Sequence, residues 1–434
     1  MMWQFYAGKS VFITGASGFV GTAVAFRLLS QTSISHLFLL CRGGLAHLEE
    51  RWSRYLPPKY IDCLHDPELV TVIQGDIISP DLGASETELQ LVRDHANIVI
   101  HAASSINLGH SLKSLANPII HASQNVAKFA LECPELESFV YVSTAYANSF
   151  LYPESKNCDP RVEEAIYPLG RGRETNLRHE WMQVQKYGHS MEFGTYNFPW
   201  PYGYAKHLAE RLVTALFAKS NKSLQLLIVR PSVIGPAQSF PYPGFSVPRS
   251  TPTTLLAAGL VLSPSFTMQM SSRSNKPETQ SSIDEVPVDV VVDRLLCHLA
   301  MGTVGPIHAV TGKRKSFTFR TFWEEAIPLR RIPWVPRKAW LDVDWRSPEL
   351  NTLARIYVIY AASYDFSDER TIRLSENMGE KEKIGLQLFR AGNGQEVGLA
   401  SREAEILACA QCIARRTVFG WILWWLFYSS WFPF

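Results

Sequence analysis

The segment Gly15-Ala16-Ser17-Gly18-Phe19-Val20-Gly21 constrains this chain more than any other stretch of it. It follows the apolar run Val11-Phe12-Ile13-Thr14, which reads as a buried strand, and it opens a helix. Glycines at this spacing permit a tight turn and let backbone N–H groups approach a pyrophosphate, with the partial positive charge of the helix N-terminus behind them. A glycine-rich string alone is common, but between a strand and a helix it is specific. Gly8-Lys9-Ser10 is not a second phosphate loop, because such a loop needs a glycine where Trp3 stands and must follow a strand.

The strand pattern continues through the first half. Residues 12–13, 37–40, 70–73, 98–100, 139–142 and 226–229 are continuous apolar runs, and amphipathic helical stretches separate most of them. This alternation predicts an α/β fold, a parallel sheet covered by helices on both faces. With 434 residues, 46% of them hydrophobic, the chain can bury a large core. A net charge of +2 argues against a nucleic-acid partner bound by bulk charge. Seven cysteines over this length are no disulfide framework, and Cys409-Ala410-Gln411-Cys412 is a single pair on an apolar stretch. The twelve histidines show no metal-ligand spacing, so no metal site is expected.

Ligand contacts can be assigned along the strand ends. Thr14, Gly15, Ser17, Gly18, Phe19 and Gly21 form the dinucleotide turn. The second strand ends at Leu39-Leu40-Cys41-Arg42. An acid there would accept from the ribose 2′-hydroxyl of NAD; Arg42 instead suits the 2′-phosphate of NADPH. After the third strand come Asp76, placed for the adenine, and Ile77. After the fourth, His101 and Ala102 precede Ala103-Ser104, small side chains where a coenzyme must pass. His101 either packs at the strand end or lines that cleft.

Tyr202 and Lys206 are four residues apart in Tyr202-Gly203-Tyr204-Ala205-Lys206, so on a helix they share one face. A lysine ammonium near a phenol lowers its pKa and makes it a usable acid for a carbonyl oxygen. Ser143 or Thr144, at the end of the fifth strand, would donate to the developing oxyanion.

These segments, together with Arg230-Pro231-Ser232, Pro243-Gly244-Phe245 and Val286-Pro287-Val288-Asp289, resemble the fatty acyl-CoA reductase (male sterility) and thioester reductase group of extended short-chain dehydrogenase/reductases. The resemblance covers residues 8–315. It implies a Rossmann-like doubly wound parallel sheet with a smaller substrate-binding lobe, mainly residues 190–200 and 236–285, inside a reductase domain of residues 1–339. It implies catalytic roles for Thr144, Tyr202 and Lys206, with Lys206 also binding the nicotinamide ribose and Asn125 in support. The implied reaction is NADPH-dependent reduction of an acyl thioester, carried by CoA or by an acyl carrier protein, to an aldehyde and then a primary alcohol. Alternatives are a carrier-dependent reductase of secondary metabolism and an extended dehydrogenase for a sterol or sugar nucleotide. The pocket walls are expected from residues 193–200, 236–245 and the apolar stretch starting at Leu255.

From about residue 340 the character turns helical and charged, so 340–417 reads as a C-terminal helical region. Residues 418–434 form an uncharged aromatic tail behind Arg415 and Arg416. As a helix this tail reaches roughly 25 Å, against a hydrocarbon core of about 30 Å. Its Trp and Tyr content suits contact with a membrane interface. Residues 1–10 lack the pattern of a secretory leader, so the expected location is the cytoplasmic side of a membrane, the endoplasmic reticulum being one candidate.

Overall fold

The computed structural model describes residues 2–155, 159–170, 176–220, 223–312, 317–341, 350, 362–391 and 398–429. The elements that build the site, in chain order, are β1 (Ser10–Thr14), α1 (Phe19–Gln31), β2 (His36–Cys41), β3 (Val70–Gln74), β4 (Ile98–His101), α2 (Ala122–Glu132) and β5 (Ser138–Val142). They continue as α3 (Pro201–Ala218), β6 (Gln225–Pro231), α4 (Pro252–Leu262), α5 (Val288–Ala300), β7 (Gly305–Ala309), α6 (Glu403–Ala414) and α7 (Val418–Tyr428).

The strands form one sheet in the order β7-β6-β5-β4-β1-β2-β3. Every neighbouring pair is parallel. Successive side chains leave a strand on opposite faces, so each strand feeds two cores. Phe12, Val99, Phe139 and Ile228 face α2 and α3. Val11, Ile13, Val140 and Val229 face α1 and α5. Burial on both sides explains the uninterrupted apolar runs. All six predicted strands are present. The seventh, β7, was not predicted, because Gly305, Pro306 and His308 make its sequence read as a turn. Its place at the sheet edge is where a proline is tolerated.

The chain turns one way from β1 to β2 and the other way to reach β4. The crevice at their carboxyl ends is the switch point where ligands bind in such sheets. The glycine turn between β1 and α1 opens into it.

The boundary expected near residue 340 falls inside a strand. Arg337–Leu341 pairs in parallel with Thr267–Ser271. Further on, Asp365–Phe366 pairs with Arg161–Val162, Asp368 accepts from the buried Arg294 at 3.2 Å, and Arg402 forks onto the buried Glu285. The described part of 340–417 is thus threaded into the α/β body. Helix α6 of this part, and α7 that follows it, pack with α4 in a third core around Leu256, Leu260, Ile406, Cys409 and Leu423.

Candidate active site

Steric need explains the glycine turn. Gly15 has φ +82°, and a Cβ there would lie 2.7 Å from the Ala103 nitrogen. A Cβ on Gly21 would lie 2.1 Å from the Gly15 oxygen. Thr22 Oγ1 and Trp52 Nε1 both donate to the Ala16 carbonyl, at 2.8 and 3.1 Å, and hold the turn from two sides. Gly18 caps α1 without a side chain, and no acid occupies the first turn. These features fit a dinucleotide pyrophosphate.

Beneath the turn, Thr14 Oγ1 and His101 Nδ1 are 2.8 Å apart, and His101 Nε2 lies 3.3 Å from Ser123 Oγ. Burial, followed by the charge of Lys206, pulls His101 down to about 3. Of the two readings for His101, the ring takes the packed one: it stacks near Tyr141 and ties β4 to β1. Asp76 Oδ1 accepts from the Ile78 nitrogen at 3.1 Å, and Asn125 Nδ2 donates to the Ile77 carbonyl at 3.1 Å. Asn125 therefore fixes the loop after β3.

α3 begins at Pro201, whose missing N–H costs nothing at a first helical position. Gly203 lets it press close, since a Cβ there would lie 2.6 Å from Ser149 Oγ. This brings Tyr202 and Lys206 against the end of β5. Both line a cavity of about 170 Å³ with Ser143, Thr144, Tyr146 and Trp200, and with Val20 and Ala102 from the turn side. Ile106, Leu108, Val233 and Ile234 give it apolar walls. Lys206 Nζ donates to the Val142 carbonyl at 3.0 Å. The two candidate hydroxyls differ. Thr144 Oγ1 donates to the Pro231 carbonyl at 3.3 Å and accepts from the Tyr146 nitrogen, whereas Ser143 Oγ is buried without a partner.

Two expectations are corrected. Lys206 does not pull Tyr202 down in this fold; burial pushes the phenol well up, and Lys206 is itself depressed. Residues 236–245 do not line the cavity. Phe240 and Phe245 pack on Phe26 and Phe19 of α1, and the Asp289 carboxylate holds the loop by accepting from the backbone of Gln238, Ser239 and Phe240. The wall contributed here is Ser250 and Pro252, at the start of α4.

Burial pulls the Lys206 ammonium down from 10.5 to about 7, with the Glu210 carboxylate opposing. Between these values the unfolded chain binds a proton that the folded chain has lost. Stability therefore rises as pH climbs from about 7 toward 10.5, and below 7 the cost of burying the charge is felt in full. The melting temperature of Lys206→Met minus that of the wild type should fall by about 1–2 °C per pH unit above pH 7. A difference that stays constant with pH would sink this assignment.

Arg42 is exposed at the end of β2. Beside it stands a residue that sequence reasoning missed, Arg51, on the helix Gly44–Trp52. Burial raises the Cys41 thiol, and the Ser17 hydroxyl, Arg42 and Arg51 draw it back, which places all three around this sulfur. Arg51 Nε and the Tyr55 hydroxyl are buried close together, and the Arg51 guanidinium draws the phenol down against the burial that raises it. Among the described residues no carboxylate pairs with Arg42 or Arg51. The available signal was Trp52, the next residue, whose indole reaches the glycine turn.

Residues 13–295 match the family described as Male sterility protein. Among curated relatives, a putative fatty acyl-CoA reductase of Drosophila melanogaster is 28% identical over 309 residues, covering 68% of this chain and 55% of that protein. Fatty acyl-CoA reductase 1 of Homo sapiens is 30% identical over 302 residues, with 68% and 55% covered. The chain thus spans about half the length of the curated relatives it matches. Among solved structures, the terminal R domain from the myxalamid PKS-NRPS biosynthetic pathway superposes with a TM-score of 0.60 at 14% identity, covering 95% of this chain and 92% of that one. At that identity the likeness shows the fold alone.

Proposed function

We propose, from the premise that this chain belongs to the Male sterility protein family, that it is an NADPH-dependent oxidoreductase that reduces acyl thioesters to aldehydes and onward to primary alcohols. The observation that carries this reading is the meeting of Tyr202, Lys206 and Thr144 in one apolar-walled cavity against the glycine turn. The reduced nicotinamide supplies the hydride. Tyr202 donates its phenolic proton to the carbonyl oxygen as that oxygen gains negative charge. Thr144 turns its hydroxyl from the Pro231 carbonyl to the same oxygen. Lys206 binds the coenzyme ribose and returns a proton to Tyr202. The hemithioacetal then expels the thiol and leaves the aldehyde. A second round in the same cavity gives the alcohol. In this reading residues 1–339 do the chemistry, 340–417 brace the cavity wall through α4 and α6, and 418–434 contact a membrane on its cytoplasmic side.

The test is coenzyme oxidation by the full chain with acyl-CoAs of graded length, and with the same acyl groups on a carrier protein, the products identified by mass. Consumption of NADPH with release of thiol and aldehyde or alcohol is expected. NADPH binding with every thioester left intact would overturn the reading.

Arg42 and Arg51, with the Tyr55 hydroxyl, are assigned the 2′-phosphate. A charge-assisted hydrogen bond contributes roughly 1.5–3 kcal/mol. Arg51→Gln should therefore weaken NADPH at least about tenfold and leave NADH unchanged, as read by nucleotide fluorescence titration. An unchanged NADPH/NADH ratio would remove Arg51 from the site.

A further inference from the structure

The outer face of α7 is an apolar surface that belongs to neither the cavity nor the cores. Val418, Phe419, Trp421, Ile422, Trp425 and Leu426 are 39–81% exposed. Exposed apolar surface of this extent marks an interaction site. The opposite face is fixed to the body. Leu423 and Tyr428 are buried, and the Tyr428 hydroxyl donates to the Val261 carbonyl at 2.9 Å and accepts from the Arg331 nitrogen at 3.0 Å.

The apolar surface continues onto that body. Phe427 meets Trp334 edge-on with centroids 6.3 Å apart, and Trp334 stacks on Phe266 at 5.1 Å. Phe266 is 70% exposed and Val335 57%. The two stretches of chain that carry this surface hold basic residues and no acid, although Lys338 is paired with Glu278 from elsewhere. Residues 326–341 contain no acid, and neither do residues 406–434. Arg331, Arg337, Arg415 and Arg416 are exposed along these stretches, and among the described residues none of them pairs with a carboxylate.

We propose that α7 and the segment around Phe266 and Trp334 form one docking face for an anionic lipid bilayer, with α7 lying in the plane of the interface. An 11-residue helix rises about 16 Å, roughly half the hydrocarbon thickness. Among the described residues no helix is long and apolar enough to cross a membrane. A helix already fastened along one side offers lipid only its outer face, the geometry of an interfacial helix. Tryptophans favour the headgroup level, and the four arginines are matched by anionic headgroups. The inference deepens the membrane contact proposed above and is independent of the reductase chemistry.

The experiment is flotation of the full chain with phosphatidylcholine vesicles, with and without phosphatidylserine, alongside NADPH titration as a check on folding. Binding should favour the phosphatidylserine vesicles and weaken with salt. Each arginine changed to glutamine should lower the partition coefficient about fivefold, the equivalent of ~1 kcal/mol per basic residue. Trp421→Ser with Trp425→Ser should lower binding to both vesicle types. Tryptophan quenching by lipids brominated near the headgroup should exceed quenching by lipids brominated at the chain end. Binding that ignores lipid charge, or quenching strongest at the bilayer centre, would overturn the docking face while leaving membrane contact standing. Absence of vesicle binding by protein that binds NADPH would overturn both. A concentration-dependent dimer lost in the double tryptophan variant would also overturn the proposal, assigning the face to a second copy of this chain.

Discussion

Tyr202→Phe is expected to lower kcat for thioester reduction by about 10²–10⁴-fold, the range in which a positioned general acid contributes, while NADPH binds as before. The substitution removes one hydroxyl and keeps the ring. Tyr202 is only 9% exposed and belongs to the core that α3 forms with β5 and Trp200, so the wall of the cavity stays in place. Among the described residues no hydrogen bond holds the hydroxyl, which leaves it free to meet a carbonyl oxygen. Burial keeps the phenol protonated at neutral pH, as a proton donor must be. Lys206 keeps its bond to the Val142 carbonyl in the variant, so the ribose contact proposed for it is expected to survive. Stopped-flow or steady-state assays with a saturating thioester would read the loss in kcat. Turnover within a few-fold of wild type would show that the proton comes from elsewhere, and the catalytic assignment would fall.

Gly21→Ala is expected to lower dinucleotide affinity at least a hundredfold and to lower the melting temperature. The new methyl would meet the Gly15 oxygen at 2.1 Å, and that oxygen is backbone, unable to swing aside like a side chain. α1 must lift off the turn, which moves its N–H groups away from the pyrophosphate they are placed to hold. Forcing a group into a packed site costs about 1–3 kcal/mol, enough to see as a lower melting temperature. Gly109→Ala is the control, because a Cβ there meets only Asn107 Oδ1 at 3.7 Å. Equal nucleotide affinity for Gly21→Ala and wild type would mean that the turn does not bind the dinucleotide.

Much of the fold was legible because its signals are local. Six strands announced themselves as runs apolar on both faces, which only a sheet covered on two sides requires. The glycine turn did so through its spacing, since Gly21 and Gly18 both meet the Gly15 oxygen within seven residues, although Gly15 itself is held by the distant Ala103. Tyr202 and Lys206 could be paired because helical periodicity joins residues four apart whatever the rest of the chain does. β7 escaped for the opposite reason. Its Gly305, Pro306 and His308 are locally turn-like, and only pairing with β6 along the sheet edge makes them a strand.

By itself, then, the sequence determined what short-range geometry controls: the strand–helix alternation, the glycine turn, the Tyr/Lys face and the apolar character of the tail. Tertiary structure decided what depends on residues far apart in the chain. Arg51 and the Tyr55 hydroxyl, proposed above for the 2′-phosphate, come beside the glycine turn because Trp52, at the end of the helix that carries Arg51, donates to the Ala16 carbonyl. Residues 236–245 brace α1 rather than the cavity because Asp289 gathers their backbone. Lys206 is depressed and Tyr202 raised because removal of water from a packed interior disfavours charge of either sign, and the packing that removes that water comes from strands, helices and loops far apart in sequence.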